Sequence, residues 1–306
     1  MIRHLLQLIW NQRKQNAWLW AELLLVSVFL WFLVDYLYVM GRTYTAPLGF
    51  DIRHTYSIVI SSLSERSPDY IPKEKRERPD GVHLLTALDR IRTYPGVESA
   101  CLTDGGMPYY MGSRNLVWRI DTLQVPCRYA FVTPEFFDVF RIYDKEGETA
   151  SLKRAIEDNN SIVISADVET MNPGLSLLGQ KAYRGNVTDE IEETIRGISV
   201  PIRRHEYTKA EPNVYRALRL SRMEEGYYEG MIDAVRLCVR VRPDVDNADF
   251  PARFRKDMAE QLRLGNLYLL DVQPLSYIRD GYIRSIGVET VSYTHLRAHE
   301  TELHLV

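Results

Sequence analysis

IDAVRLCVRVR, residues 232–242, alternates without a break. Val235, Leu237, Val239 and Val241 point one way, and Arg236, Cys238, Arg240 and Arg242 the other, which is the period of a strand. Asp249 then precedes a helix with Pro251 in its first turn and Phe250, Phe254, Met258 and Leu262 four apart. Gly265-Asn266 ends that helix, and Leu267 to Val272 reads as a second strand. This is a β-α-β unit.

The pattern occurs once more, near the other end of the chain. His54 to Ser61 (HTYSIVIS) reads as a strand. A polar, proline-marked loop follows over 64–80. Its charge run, Lys73, Glu74, Lys75, Arg76, Glu77 and Arg78, alternates in sign and is expected to be solvated. Asp80 is expected to cap a helix over about 82–93, whose Leu84, Leu88 and Ile91 recur at helical spacing. Tyr94-Pro95-Gly96 stops it, and Val97 to Leu102 is a strand. Two such units far apart in sequence predict one split α/β domain, with the middle either inserted into it or folded as an independent lobe.

The middle offers a short strand at Tyr129 to Val132 and another at Ser161 to Ser165. Pro134 opens a run in which Phe136, Phe137 and Phe140 share one face of a short helix, expected to pack in the core. Residues 221–230 (SRMEEGYYEG) are polar and glycine-marked, and are expected to be exposed.

Ahead of both units, Ala17 to Met40 reads AWLWAELLLVSVFLWFLVDYLYVM. At about 1.5 Å per residue it extends about 36 Å, enough to cross a hydrocarbon core of about 30 Å. Glu22 and Asp35 lie near its two ends, where a carboxylate reaches the headgroups more cheaply than at mid-bilayer. Trp18, Trp20, Tyr36 and Tyr38 sit where an interfacial aromatic belt would place them. Residues 1–16 carry Arg3, Arg13 and Lys14 and no acid, which puts the N-terminus in the cytoplasm and the rest outside. Ile2, Leu5, Leu6, Leu8, Ile9 and Trp10 suit a short helix on the inner membrane face. A cleaved signal peptide has a shorter apolar core and a small-residue cleavage site, which GRTYTAPLGF (41–50) does not offer. A buried core helix is the remaining alternative.

The whole chain has 306 residues, with 38 Lys+Arg against 41 Asp+Glu and a net charge of −3, so bulk charge gives no support for nucleic-acid binding. Three cysteines are too few for a disulfide-built scaffold. Cys101, Cys127 and Cys238 would all lie outside the membrane. Cys101 and Cys238 fall on strands of the two halves, which leaves either a bridge or free buried thiols. No catalytic, cofactor-binding or metal-binding residues are expected. His295, His299 and Glu300 lack the His-Glu-x-x-His order of a zinc protease, and His4, His54, His83 and His205 are scattered. Asp244 and Asp246 read as turn and cap residues rather than a catalytic pair. Neither a Walker A loop nor Gly-x-Ser-x-Gly occurs, and Asn159-Asn160-Ser161 and Asn186-Val187-Thr188 match an acceptor pattern that is frequent by chance.

VTPEFFDVFRI (Val132 to Ile142), SIVIS (Ser161 to Ser165), Leu178-Gly179-Gln180-Lys181 and Ile195-Arg196-Gly197-Ile198-Ser199 follow one another after a basic N-terminus and a first span. In this order they resemble the MacB-type and FtsX-like ABC transporter permeases of the Bacteroidetes kind, over roughly residues 1–288. The resemblance implies an α+β fold: one N-terminal transmembrane helix, then a periplasmic MacB-like core domain of split β-α-β units with an inserted second lobe. The expected divisions are a cytoplasmic segment 1–16, a span 17–40, and a core domain 41–288 with its inserted lobe at about 144–228. It also implies an inner-membrane permease subunit without cofactor, working with a separate ABC ATPase, the lipid bilayer and a homo- or heterodimeric permease partner, and not with nucleic acid. Family members carry three further spans after the external domain. Here the chain continues ETVSYTHLRAHETELHLV, in which SYTHLRAHET resembles translated adapter sequence, so 289–306 is expected to be a non-native tail. A single-span anchored binding or receptor module is the alternative function.

Overall fold

The computed structural model describes residues 10, 17–110, 112, 114–185 and 191–286. Arg3, Arg13 and Lys14, the acceptor pattern at 186–188, and the tail 289–306 with His295, His299 and Glu300 lie outside the described residues. The chain divides into two compact bodies: residues up to Pro47 with His205–Lys209, and Leu48–Arg204 with the residues from Ala210 onward.

In the first body, helix α1 covers Ala17–Thr45 and buries none of its side chains. It is the one helix among the described residues long and apolar enough to cross a membrane. It runs past Met40, where the apolar run ends, because Gly41 to Tyr44 continue its hydrogen bonding and Thr45 Oγ1 donates back to the Gly41 carbonyl at 3.1 Å. Pro47 lies just beyond its end. Glu22 and Asp35 are both exposed on it.

The second body is built on β1 (Thr55–Ser62), α2 (Asp80–Arg92), β2 (Val97–Asp104), β9 (Val235–Val241), α7 (Phe250–Met258) and β10 (Leu267–Pro274). These strands lie in the order β10-β1-β9-β2. β9 is antiparallel to both β1 and β2, so each β-α-β crossover is split by a strand of the other. The two halves of the sequence therefore interlock in one sheet. Leu84, Leu88 and Ile91 of α2 and Phe250, Phe254 and Met258 of α7 fill one core with Val235, Leu237, Val239 and Val241 of β9.

Between β2 and β9 the chain forms β3 (Asn115–Ile120), β4 (Leu123–Val132), α3 (Phe136–Phe140), α4 (Ala150–Ala155), β5 (Ser161–Ser165), α5 (Asp167–Met171), β6 (Lys181–Arg184), β7 (Ile191–Ser199), β8 (Asn213–Ala217) and α6 (Leu220–Glu224). Strand order β4-β3-β6-β7-β5-β8 is closed by a parallel β4–β8 pairing into a six-stranded ring. Every strand of the ring contributes to one core: Trp118, Val125, Ile162, Ala182, Ile195 and Val214. Period two then puts Val163 and Tyr215 on the outside of the ring, where they join a different core. β2 pairs with β4 only through Thr103 and Asp104, a narrow bridge from sheet to ring.

Three sequence expectations change. Asp80 is not the cap of α2; Pro79 holds that position, and Asp80 is a buried first-turn residue whose N–H donates to Glu229 Oε1 at 2.9 Å. Arg76 leaves the solvated charge run: its guanidinium reaches Asp80 at 3.1 Å and Glu229 at 2.7 Å. Residues 221–230 are not all exposed, because Met223 and Tyr228 enter the helix-side core and Met223 packs where a Cβ on Gly81 would stand. The second face of β9, which carries Cys238 and Arg240, is closed as well, and Arg240 is buried.

The ring core also holds a charge. Glu193 is buried, and accepts from Trp118 Nε1 at 3.3 Å and from Arg216 Nε at 2.7 Å. Burial, with the nearby Arg184 and Arg219 charges, pulls the Arg216 guanidinium below its ordinary value, and the Glu193 carboxylate opposes that. Removing one partner of such a pair strands the other charge in a dry site. Glu193→Ala is expected to cost about 3–5 kcal/mol, read as a lower urea midpoint; an unchanged midpoint would contradict the buried pair.

Candidate functional site

The segment 133–142 forms the joint on the far face of the four-stranded sheet. Thr133 docks it first: its N–H donates to the Leu102 carbonyl at 3.0 Å, and its Oγ1 accepts from Leu102 N at 3.1 Å. Helix α3 then makes little more than one turn. Arg141 ends it in the left-handed region, φ 51°, and Ile142 N donates back to the Phe137 carbonyl at 3.0 Å. A helix this short has no stability of its own, so packing must hold it. Phe136, Phe137, Val139 and Phe140 are all fully buried. The rings of Phe136 and Phe140 lie 4.9 Å apart, and Tyr215 of the ring meets Phe136 at 5.4 Å and Phe137 at 5.6 Å. The core placement expected of the three phenylalanines is what the structure has.

Both ends of the domain converge on this cluster. The strap from Leu48 to Arg53 is the first chain of the second body. Its Phe50 and Ile52 pack against the cluster. The helix over 275–286, here α8, is the last described element, and its Leu275 and Ile278 pack there too. Tyr109 joins them from a third direction, with Phe50 at 5.8 Å and Tyr282 at 5.8 Å.

Arg240 fastens strap and α3 to β9. Its Nε donates to the Val139 carbonyl at 2.7 Å, Nη1 to the Arg53 carbonyl at 2.8 Å, and Nη2 to the Asp51 carbonyl at 2.7 Å. Asp51 N in turn donates to the Phe140 carbonyl at 2.8 Å. Burial pulls Arg240 below the ordinary arginine value, and the nearby Asp51 charge opposes it. Burial alone would raise the Asp51 carboxyl, but hydrogen bonds from Arg53 and the Arg240 charge outweigh it and hold Asp51 below the usual carboxylate range. Asp51 therefore stabilises the fold at neutral pH, and that contribution is lost as pH falls through its depressed value.

A second link joins β1 to the loop before α7. Asp246 takes His54 Nδ1 at 2.5 Å and the Tyr56 hydroxyl, while Asp244 pairs with exposed Arg242 at 3.2 Å. Asp244 thus lies in the surface turn 243–245, in keeping with a turn role, while Asp246 is a clamp and the N-cap position of α7 belongs to Asp249. Among the described residues, no three His, Cys, Asp or Glu side chains are grouped to hold a metal ion. Cys101, Cys127 and Cys238 are buried free thiols. Arg240, Asp51 and Tyr215 escaped the sequence reading. The one available signal was an arginine between Val239 and Val241 in a strand whose other face is wholly apolar.

No protein-family profile matches the chain, and no curated protein matches it. Solved structures do. The chain is similar to a domain of a permease protein from Porphyromonas gingivalis, at 17% identity and a TM-score of 0.46, covering 74% of this chain and 92% of that one. It is similar to the periplasmic region of MacB from Actinobacillus actinomycetemcomitans at 9% identity and a TM-score of 0.43, covering 80% and 98%. It is also similar to the extracellular domain of the noncanonic ABC-type transporter YknZ from Gram-positive bacteria, at 11% identity and a TM-score of 0.40, covering 70% and 100%. All three likenesses are distant. Among the described residues one helix, Ala17–Thr45, is long and apolar enough to cross a membrane, and it precedes the folded domain in the chain.

Three substitutions test the joint. Phe137→Asp is expected to lower stability by more than about 3 kcal/mol. Arg240→Met, which orphans three carbonyls, is expected to cost about 2–5 kcal/mol and to raise the Asp51 pKa; Arg240→Lys restores little, since an ammonium cannot span three acceptors. Urea titration and carboxylate NMR check them, and wild-type midpoints in all three variants would defeat the assignment.

Proposed function

We propose that this chain is the permease subunit of an ABC-type transporter, moved by ATP hydrolysis in a separate ATPase chain. In this reading the folded domain transmits force outside the membrane and performs no catalysis. The observation that supports it most is the joint: Phe50 and Ile52 of the leading strap and Leu275 and Ile278 of the trailing helix pack on one aromatic cluster. A displacement of either chain end is then carried by Arg240 into β9 and by Tyr215 into the ring. Well-packed interiors pass such strain on because they compress little. The chemistry present suits this role, since buried charge is spent on holding strap, helix and strand together.

The domain division belongs to the same proposal. Residues 41–288 are read as one periplasmic core domain; its inserted lobe, placed at about 144–228 from sequence, is taken as the ring strands within 115–217. A homo- or heterodimeric permease partner and the bilayer complete the assembly.

Affinity purification of the full chain in detergent from its source organism tests this. An ABC ATPase is expected to co-purify, and nucleotide binding to it is expected to change amide exchange of 48–53 and 275–286 in concert. Recovery of the folded chain with no ATPase would overturn the reading and leave the single-span binding module.

A further inference from the structure

Cys101 on β2 and Cys238 on β9, both free thiols in this structure, stand directly opposite each other in the antiparallel register. Facing residues in such a pair have Cα atoms about 4.5 or about 5.5 Å apart. A disulfide is formed over Cα separations of about 4.4–6.8 Å, a range that contains both values, and the Cβ atoms, about 4.5–5.5 Å apart in a facing pair, close to about 3.5–4.5 Å as the bond forms. Both side chains leave the sheet on the same face, into the core that holds Phe136, Phe137 and Phe140, and both are fully buried. The Cys101 thiol is within hydrogen-bonding reach of Cys238. Cys127 is placed differently: it lies in the ring core, with its thiol toward the Val125 carbonyl at 3.5 Å.

β2 is the last strand of the first half of the split sheet, and β9 is the first strand of the second. A link between them would close the sheet across the entire ring. It would also lie beneath α3, next to the joint. We propose that Cys101 and Cys238 form a cross-strand disulfide as the domain folds, stapling the two halves of the sheet around the inserted ring. Its formation in cells rests on the outward placement of the domain, where disulfides persist.

Folding supplies the only opportunity for the chemistry. Thiol–disulfide exchange needs a thiolate and an approach path. Burial pushes the Cys101 thiol well above its ordinary value in the finished fold, so attack must precede closure of the core. During folding one cysteine thiolate attacks an oxidant disulfide, either glutathione disulfide or a thiol–disulfide oxidoreductase. That S–S bond breaks and leaves a mixed disulfide. The second cysteine, as thiolate, attacks the protein sulfur of the mixed disulfide and expels the oxidant's other sulfur as thiolate. The protein loses two protons and two electrons, and one oxidant disulfide becomes two thiols.

The test uses the full chain in detergent, unfolded in urea with reductant and refolded into a glutathione/glutathione disulfide buffer. The products are acid-quenched, alkylated and weighed. The expected product is about 2 Da lighter than the reduced chain before alkylation, with one proteolytic fragment joining Cys101 to Cys238 and only Cys127 alkylated. Cys127→Ala is expected to behave as wild type, and Cys101→Ala to give no internal bond. Reductant is expected to lower the urea midpoint of wild type and Cys127→Ala, and to leave that of Cys101→Ala unchanged. Three alkylated thiols after refolding, or a bond that includes Cys127, would overturn the proposal. Placement is tested separately with Glu65→Cys and a membrane-impermeant maleimide on spheroplasts. A bond in the refolded protein together with an unreachable Glu65→Cys would overturn the bond in cells and the outward placement, while the pairing itself stands.

Discussion

β9 has no free face, and the rest of the domain follows from that. Val235, Leu237, Val239 and Val241 supply the floor for two helices, while Cys238 and Arg240 on the other side must be covered as well. A charge can be taken into such a site only with its hydrogen-bonding capacity met. Three backbone carbonyls, from Val139, Arg53 and Asp51, meet it. The strap and α3 are therefore fixed by the same side chain, and the phenylalanines of α3 are fixed by being pressed onto the sheet.

A polar centre inside an aromatic cluster gives the joint definition as well as strength. Apolar contacts alone tolerate sliding, since they are non-directional. The guanidinium adds direction, because its donors leave in a fixed plane at set angles. Glu193 and Arg216 repeat this device in the ring, where an ion pair and the Trp118 indole tie together three strands, β7, β8 and β3, that do not pair directly. At the opening of β1, Asp246 does the same on a smaller scale with His54 and Tyr56.

The elements that local spacing controls were legible in the sequence. Alternation in 235–241, four-residue spacing from Phe250 to Leu262, and Leu84, Leu88 and Ile91 each describe a face against a neighbour nearby in chain or space. Phe136, Phe137 and Phe140 were legible as core for the same reason. What escaped depends on contacts far apart in sequence. Ring closure rests on β4 against β8 and β5 against β7, both parallel, and no local pattern specifies which strands meet. The role of Arg240 escaped because an arginine between apolar residues of a strand carries no local sign of its partners; three carbonyls from elsewhere in the chain supply them. Met223 and Tyr228 were hidden in a polar, glycine-marked stretch for a related reason, since two side chains in ten are enough to anchor a loop that is otherwise exposed.

Central to this account is that strap, α3 and β9 are one mechanical unit held by Arg240. Native-state hydrogen exchange on the full chain, wild type against Arg240→Met, measures that unit directly. Protection of the Asp51 amide, which donates to Phe140 at 2.8 Å, is predicted to match that of β9 in wild type and to collapse together with protection in α3 in the variant. Exchange of the strap that is fast in wild type, or unchanged by Arg240→Met, would contradict it.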